Sequence, residues 1–288
     1  MNAQVSTAAD PFFQFKQAQK QGWAHFAPLE ALTIPQAARL VRHAKVKTGD
    51  RALDVGCGTG VVSITAARMG AKVTGLDLTP ELLQRARENA RISEVQVDFH
   101  EGDAESLPFD DTSFDVVLSQ FGHIFAPQPE VAVAEMLRVL KPEGTIAFAT
   151  WPPELYVGRS SALVMKYMPP PDIPSPFLWG DPSVVRERLG NRVKDILFHS
   201  ASMNVPALSP QLHLANVERT VGSMVKLVEV LSASDPVKLQ EFRREAEALA
   251  AEYIEDNVLR QDYLLTRATK LWTAKSAWEG FFPTGQAS

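Results

Sequence analysis

The 288-residue chain has a single cysteine, Cys57, which excludes an intrachain disulfide and any cysteine-based metal cluster. It also lacks a basic excess. Its 29 Lys and Arg are outnumbered by 34 Asp and Glu, and the formal net charge of −5 advertises no surface for a phosphate backbone. His43, His100, His199 and His213 share no common spacing, so no metal site is expected. No segment combines a basic start with a short apolar core, and none approaches the ~20 consecutive apolar residues that span a bilayer. The expectation is a cytoplasmic protein with neither nucleic acid nor membrane as partner, monomeric or homodimeric. No internal repeat is visible. What remains is ordinary in amount: 45% hydrophobic and 22% charged residues, enough for one large α/β domain with an appendage.

The chemistry is concentrated in one stretch. Arg51 to Val55 reads as a buried strand, Gly56, Gly58 and Gly60 as a tight turn, and Val61 to Met69 as a helix. Strand, glycine turn and helix in that order present free N–H groups and the positive end of a helix dipole at the carboxyl edge of a sheet, where nucleotide-like ligands bind. A dinucleotide fingerprint needs G-x-G-x-x-G, and the residue after Gly60 is Val61. Asp54 departs from that fingerprint too, because a carboxylate ending the strand repels pyrophosphate and suits a cationic ligand. Burying it without partners would cost several kcal/mol. About twenty residues further on, Asp77 closes the strand Lys72 to Leu76, the separation that places an acid on ribose hydroxyls in a βαβ unit.

With these residues, Leu-Asp-Val-Gly-Cys-Gly-Thr-Gly (53–60) resembles the first motif of class I S-adenosylmethionine-dependent methyltransferases, whose cofactor carries a sulfonium and an ammonium. The run Gly102-Asp103-Ala104-Glu105-Ser106-Leu107-Pro108-Phe109 resembles a second motif of the same family. There the Asp meets the adenine amino group and the next N–H meets the ring, which implies those roles for Asp103 and Ala104. The resemblance covers Arg51 to Trp151 and is greatest to the small-molecule branch that includes the ubiquinone and menaquinone biosynthesis methyltransferases. It implies S-adenosyl-L-methionine as cofactor, S-adenosyl-L-homocysteine as product, and a small-molecule methyl acceptor. The cofactor-binding set implied is Trp23, His25, Asp54, Gly56, Cys57, Gly58, Gly60, Asp77, Leu78, Asp103, Ala104, Gln120 and Phe121. Cys57 reads as a small loop residue rather than a nucleophile.

The fold expected is α/β, a doubly wound Rossmann-like sheet of seven mostly parallel strands with a helical lid inserted before the last. After Pro35 to Lys45 as a helix, strands are expected at 51–55, 72–76, 95–99, 114–119, 145–150, 193–198 and 263–268, the last antiparallel by resemblance. The expected organisation is an N-terminal helical segment at 1–48, a cofactor-binding domain at 49–205 and 257–271, a lid at 206–256 and a tail at 272–288. Residues 1–10 carry little pattern. The aromatic segment Phe12 to Phe26 is either a packed helix or a flap that brings Trp23 and His25 over the cofactor. Pro152 to Pro176 reads as a long proline-punctuated loop, and Gln211 to Leu231 as one helix with Val217, Val221, Met224, Val225 and Val228 on one face.

Methyl transfer from a sulfonium is an in-line displacement in which positioning can supply roughly 7–11 kcal/mol, so no triad is needed. If the acceptor must lose a proton, His123, on the loop after the fourth strand, is the candidate catalytic base. That strand does not end in the Asn/Asp-Pro-Pro-Tyr tetrad of many amino-group methyltransferases, and no second cysteine supports carbon methylation of pyrimidines. A small, apolar or aromatic acceptor is expected. The alternatives are a protein that binds S-adenosylmethionine without transferring methyl and, against Val61 and Asp54, a nicotinamide-dependent oxidoreductase.

Overall fold

The chain folds as hydrophobic strands alternating with amphipathic helices. A computed structural model describes residues 10–169 and 173–272. It opens with α1 (Phe13–Trp23) and α2 (Glu30–His43) and continues through β1 (Arg51–Val55), α3 (Val61–Arg68), β2 (Lys72–Asp77), α4 (Pro80–Ile92), β3 (Val97–Glu101), β4 (Phe114–Gln120), α5 (Pro129–Val139) and β5 (Leu140–Thr150). Then come α6 (Tyr156–Tyr167), α7 (Pro182–Leu189), β6 (Val193–Pro206), α8 (Pro210–Thr220), α9 (Gly222–Ser234), α10 (Pro236–Ala251), the two-residue β7 (Ile254–Glu255) and β8 (Val258–Lys270). Several helices begin on proline, whose fixed φ suits the first turn and whose missing N–H would be unpaired there. Asp181, Ser209 and Asp235 cap three of them by accepting from Ser183, Leu212 and Lys238 N–H groups.

The sheet order is β3-β2-β1-β4-β5-β8-β6, with β7 paired to β8. Strands β1 to β5 run parallel, whereas β8 is antiparallel to both β5 and β6. The Rossmann-like expectation holds, with β7 as an eighth, minimal strand. Progression along the sheet reverses between β1 and β4, so the crevice beyond their carboxyl ends is the topological switch point at which such sheets take ligands.

Other expectations need correction. The proline-punctuated stretch is not simply loop, because the twelve residues of α6 form in the proline-free run between Pro153 and Pro169. The helix expected over Gln211 to Leu231 is two: Val221 is extended (φ −98°, ψ 113°) and Gly222 starts α9. The third strand begins at Val97, and the fifth begins at Leu140 rather than Thr145, taking in Glu143 at φ +60°. Strands β6 and β8 are longer than their apolar patterns. Pairing of β8 with β5 ends at Thr150 and Leu264, but its pairing with β6 continues to Pro206 and Val258, forming a ribbon beyond the end of β5. The N-terminal ten residues apart from Asp10, the prolines at 170 and 171, and the tail after Trp272 lie outside the described residues.

Besides a small cluster of Cys57, Leu83, Ala86, Ala90 and Phe99, two larger hydrophobic cores result. One fills the space around the sheet, with Leu53, Val117, Leu118, Ile146 and Phe148 fully buried. The other is helical: Val164 of α6 joins Leu214, Met224, Leu227, Leu231, Leu239, Phe242 and Ala246 of α8 to α10.

Candidate active site

Beyond β1 the backbone enters the left-handed region at Gly56 (φ +67°), Gly58 (φ +53°) and Gly60 (φ +83°), where L side chains are strained. Gly56 has a second reason to be glycine. The loop after β4 presses on it so closely that a Cβ at Gly56 would lie 2.8 Å from Gly122 Cα. Ser119 ties the same two loops: its Oγ donates to the Val55 carbonyl at 2.6 Å and accepts the His123 N–H at 3.1 Å.

Asp54, at 1% exposure, is inside this junction. Its Oδ2 accepts from Ser63 Oγ at 2.6 Å, while Oδ1 has no partner. Burial pushes its pKa up to about 7, the Ser63 bond opposes that, and the nearby Asp77 charge adds to it. Asp77 is also buried rather than at the surface of the cleft. Its carboxylate accepts the Gly58 N–H and the Thr79 N–H, each at 2.8 Å, and so stitches the glycine loop to the start of α4. Burial raises its pKa despite those bonds. Thr79 makes no side-chain cap, and Asp77 fixes the entry to α4 by holding the Thr79 N–H. Burial likewise pushes the Cys57 thiol well up, which makes it a poor nucleophile.

Gln120 ends β4 with its Nε2 donating to the Thr33 carbonyl at 3.0 Å and its Oε1 buried and unpartnered. Thr59 Oγ1 is likewise buried without a partner. Asp54, Thr59 and Gln120 line a single small cleft of about 50 Å³, together with Phe26, Thr33, Gly56, Cys57, Gly58, Val61 and Val62. Three orphaned polar atoms converging on one cleft are a demand for a hydrogen-bonding ligand, since buried polar groups are otherwise almost always satisfied. Next to it, Phe121 adopts φ +60° and stacks on Trp151 (centroids 4.0 Å apart, planes at 12°), with Tyr263 edge-on at 5.7 Å. A non-glycine residue held in that conformation marks a site of local strain.

The remaining sequence candidates are placed differently. Asp103 Oδ1 accepts the Glu105 N–H at 2.9 Å, and its Oδ2 faces Lys16 Nζ at 2.7 Å. Leu78 and Ala104 are half-buried and, like Asp103, do not line the small cleft. Trp23 packs edge-on against Phe125 (4.7 Å) and His25 is exposed, so Phe26 is the N-terminal aromatic that reaches the cleft. His123 is sealed among Phe148, Trp179 and Arg188, 1% exposed, with neither ring nitrogen partnered. Burial, reinforced by the Arg188 charge, lowers its pKa to about 3. A base needs reach to its proton and affinity for it, and in this geometry the imidazole has neither. Thr33, Thr59, Ser63 and Phe26 were not singled out from sequence. Thr59 and Ser63 flank the glycine motif and could have been found there, whereas Thr33 and Phe26 arrive from a separate segment.

A family model described as a methyltransferase domain matches residues 53–148, the block from β1 to β5. Two uncharacterised proteins of Mycobacterium tuberculosis are each 34% identical to this chain, one over 244 residues (84% of this chain, 89% of the relative) and one over 257 residues (87% and 93%). A ubiquinone biosynthesis O-methyltransferase of Xanthomonas oryzae is 35% identical over 160 residues, 52% of this chain and 66% of that one. Among solved structures, a candidate methyltransferase of Bacillus halodurans shares the fold at a TM-score of 0.57 and 22% identity, covering 82% of this chain and 99% of its own. The phosphoethanolamine N-methyltransferase 2 of Haemonchus contortus, solved with S-adenosylhomocysteine, aligns at 0.54 and 19% over 94% of this chain and 62% of its own. Sheet order, glycine loop, orphaned carboxylate and these relatives converge: the chain belongs to the class I S-adenosylmethionine-dependent methyltransferases.

Proposed function

We propose that this enzyme binds S-adenosylmethionine across the carboxyl ends of β1, β2 and β3 and transfers its methyl group to a small, apolar or aromatic metabolite. The observation that carries the cofactor reading is Asp54 Oδ1, a fully buried carboxylate oxygen with no donor, beside the unpartnered Gln120 Oε1 and Thr59 Oγ1. An ammonium group supplies the donors and the charge that this set lacks. When bound, the cofactor supplies a methyl group activated by its positive sulfur.

The chain's own part is orientation. The N–H groups of Gly56, Cys57, Gly58 and Gly60 are taken up by the Leu76 carbonyl, Asp77 and the Cys57 carbonyl, so it is the first turn of α3 that favours a polar ligand end at the loop. Asp77 keeps lone pairs free for ribose hydroxyls beyond its two backbone donors, and Leu78, Asp103 and Ala104 form the adenine side, with Trp23 and His25 on the flanking segment. Gln120 and Phe121 mark the methyl end. The stack of Phe121, Trp151 and Tyr263 offers the acceptor an aromatic wall. Helices α8 to α10, joined by α6, act as the lid that excludes water and holds the acceptor in line. His123 takes no proton in this reading, because its ring is enclosed.

Calorimetry should show binding of S-adenosylhomocysteine and none of NAD, and tritiated S-adenosylmethionine should label a small molecule in a metabolite extract. Binding of NAD without S-adenosylhomocysteine would falsify the reading.

A further inference from the structure

Helix α1 is attached in an unusual way. Of its eleven residues the single buried one is a lysine, Lys16, at 7% exposure. Its ammonium lies 2.8 Å from Asp10 Oδ2, 2.7 Å from Asp103 Oδ2 and 2.7 Å from Glu105 Oε2. Burial works against that charge, but the three carboxylates outweigh it and raise the lysine pKa. One turn on, Lys20 Nζ is 2.5 Å from Glu101 Oε1. Further along, Gln19 Nε2 donates to the Phe125 carbonyl at 3.0 Å. At the carboxyl end Gly22 meets Gly222, the first residue of α9, so closely that a Cβ on Gly222 would lie 2.9 Å from the Gly22 carbonyl oxygen. The helix thus spans from the acidic loop after β3, past the loop after β4, to the helical cap. Besides the edge contact of Trp23 with Phe125, it is held by charge and backbone fit, and none of its apolar side chains is fully buried. Elements fixed in this way open locally at low free energy, and their attachment weakens with salt.

Two further facts connect this attachment to the site. The carboxylate that Lys16 grips, Asp103, is the one assigned above to the adenine amino group. The chain leaving α1 brings Phe26 into the cleft, whose volume of about 50 Å³ is far below the ~300–1,000 Å³ of small-molecule sites. We propose that α1 is a strap latched across the cofactor cleft by Lys16 on Asp103 and Glu105, and that the latch must release for the cofactor to enter or leave. Lys16 is therefore a gating residue for cofactor exchange, and Gly22 against Gly222 passes strap opening to the cap. This rests on the cofactor reading above.

Stopped-flow exchange of S-adenosylhomocysteine tests it. Lys16→Met should raise both the association and the dissociation rate by about tenfold, the scale of one charge-assisted hydrogen bond. Lys16→Arg should stay near wild type, and added salt should accelerate the wild type more than Lys16→Met. Lys20→Met, at the more exposed pair, should show the same pattern more weakly and serves if Lys16→Met fails to fold. Hydrogen exchange without ligand should rise in α1 while β1 and β4 stay protected. Unchanged rates would overturn the proposal, as would faster dissociation with unaltered association, which would make Lys16 a cofactor contact. A wild-type chain that binds no S-adenosylhomocysteine would instead withdraw the cofactor reading itself.

Discussion

The two larger cores of the molecule are built on opposite terms. Around the sheet, apolar packing is interrupted at the carboxyl ends of β1 and β4 by Asp54, Thr59, Gln120 and His123, buried polar groups with unsatisfied atoms. The helical core of α6 and α8 to α10 is lined by Val, Leu, Met, Phe and Ala, with its charged pairs, such as Arg243 with Glu218, outside the apolar cluster. Unsatisfied polar atoms are a stability loss that a fold retains where a ligand makes it good. On the proposed reading, the contrast separates the part that binds from the part that covers.

The sharpest way to break the comparison is to open a cavity in each core. Phe148→Ala and Phe242→Ala each delete a fully buried ring and should lose about 3–5 kcal/mol locally. Urea denaturation followed by hydrogen exchange should show Phe148→Ala weakening the whole sheet and S-adenosylhomocysteine binding with it. Phe242→Ala should loosen α8 to α10 and abolish methyl transfer with binding nearly intact. Equal loss of binding in both would end the division into binder and cover.

Asp77→Asn keeps the shape but removes the charge on the bonds to Gly58 and Thr79 and, in the proposed complex, to the ribose. Its affinity for S-adenosylhomocysteine should fall by about 1.5–3 kcal/mol, read by calorimetry. A stability loss of the same size would make the residue a strut of the glycine loop and nothing more.

The two titrating groups of the site give opposite pH slopes. For Asp54 the folded-state pKa of about 7 lies above the ordinary 3.8, so its contribution to stability is full below about pH 4 and is lost as pH rises through about 7. A cation beside it favours the carboxylate, so S-adenosylhomocysteine affinity should rise across that same upper range, and Asp54→Asn should flatten both profiles. For His123 the folded-state pKa of about 3 lies below the ordinary 6.5, so its contribution is present above about pH 6.5 and is lost as pH falls toward 3. His123→Leu should remove that acid sensitivity and leave kcat within a few-fold. A loss of kcat by about a hundredfold or more, the scale of general base catalysis, with unchanged stability would restore it as a base.

The smallest effect concerns the joint between the regions. Tyr156 at the start of α6 and His213 on α8 share a buried hydrogen bond of 2.8 Å. Tyr156→Phe should lower the melting midpoint by an amount worth about 1 kcal/mol with cofactor affinity unchanged.

The order of strands, the glycine turn, Asp54 and Asp77 could be read from sequence because each rests on local rules. Period-two and period-3.6 patterns mark elements, and left-handed backbone demands glycine. The fifth and sixth strands could not be bounded that way, since β5 starts at Leu140 and runs through Glu143 at φ +60°, and β6 continues through polar residues paired only with β8. Helix α6 was hidden among prolines that flank it without interrupting it.

By itself, then, the sequence determined the family of the glycine loop: spacing 56–58–60 without a later glycine, and a carboxylate before it, depart from the dinucleotide fingerprint and match a methyltransferase domain. Only the tertiary structure decided which side chains line the cleft. It turned His123 inward, because the loop after β4 is pulled onto Gly56 and the ring falls between Phe148 and Trp179. It also brought Phe26, Thr33 and Lys16 from a distant segment to the cleft and to Asp103. Contacts between residues far apart in the chain leave no mark in local pattern, since each residue satisfies its own helix equally well wherever that helix is docked.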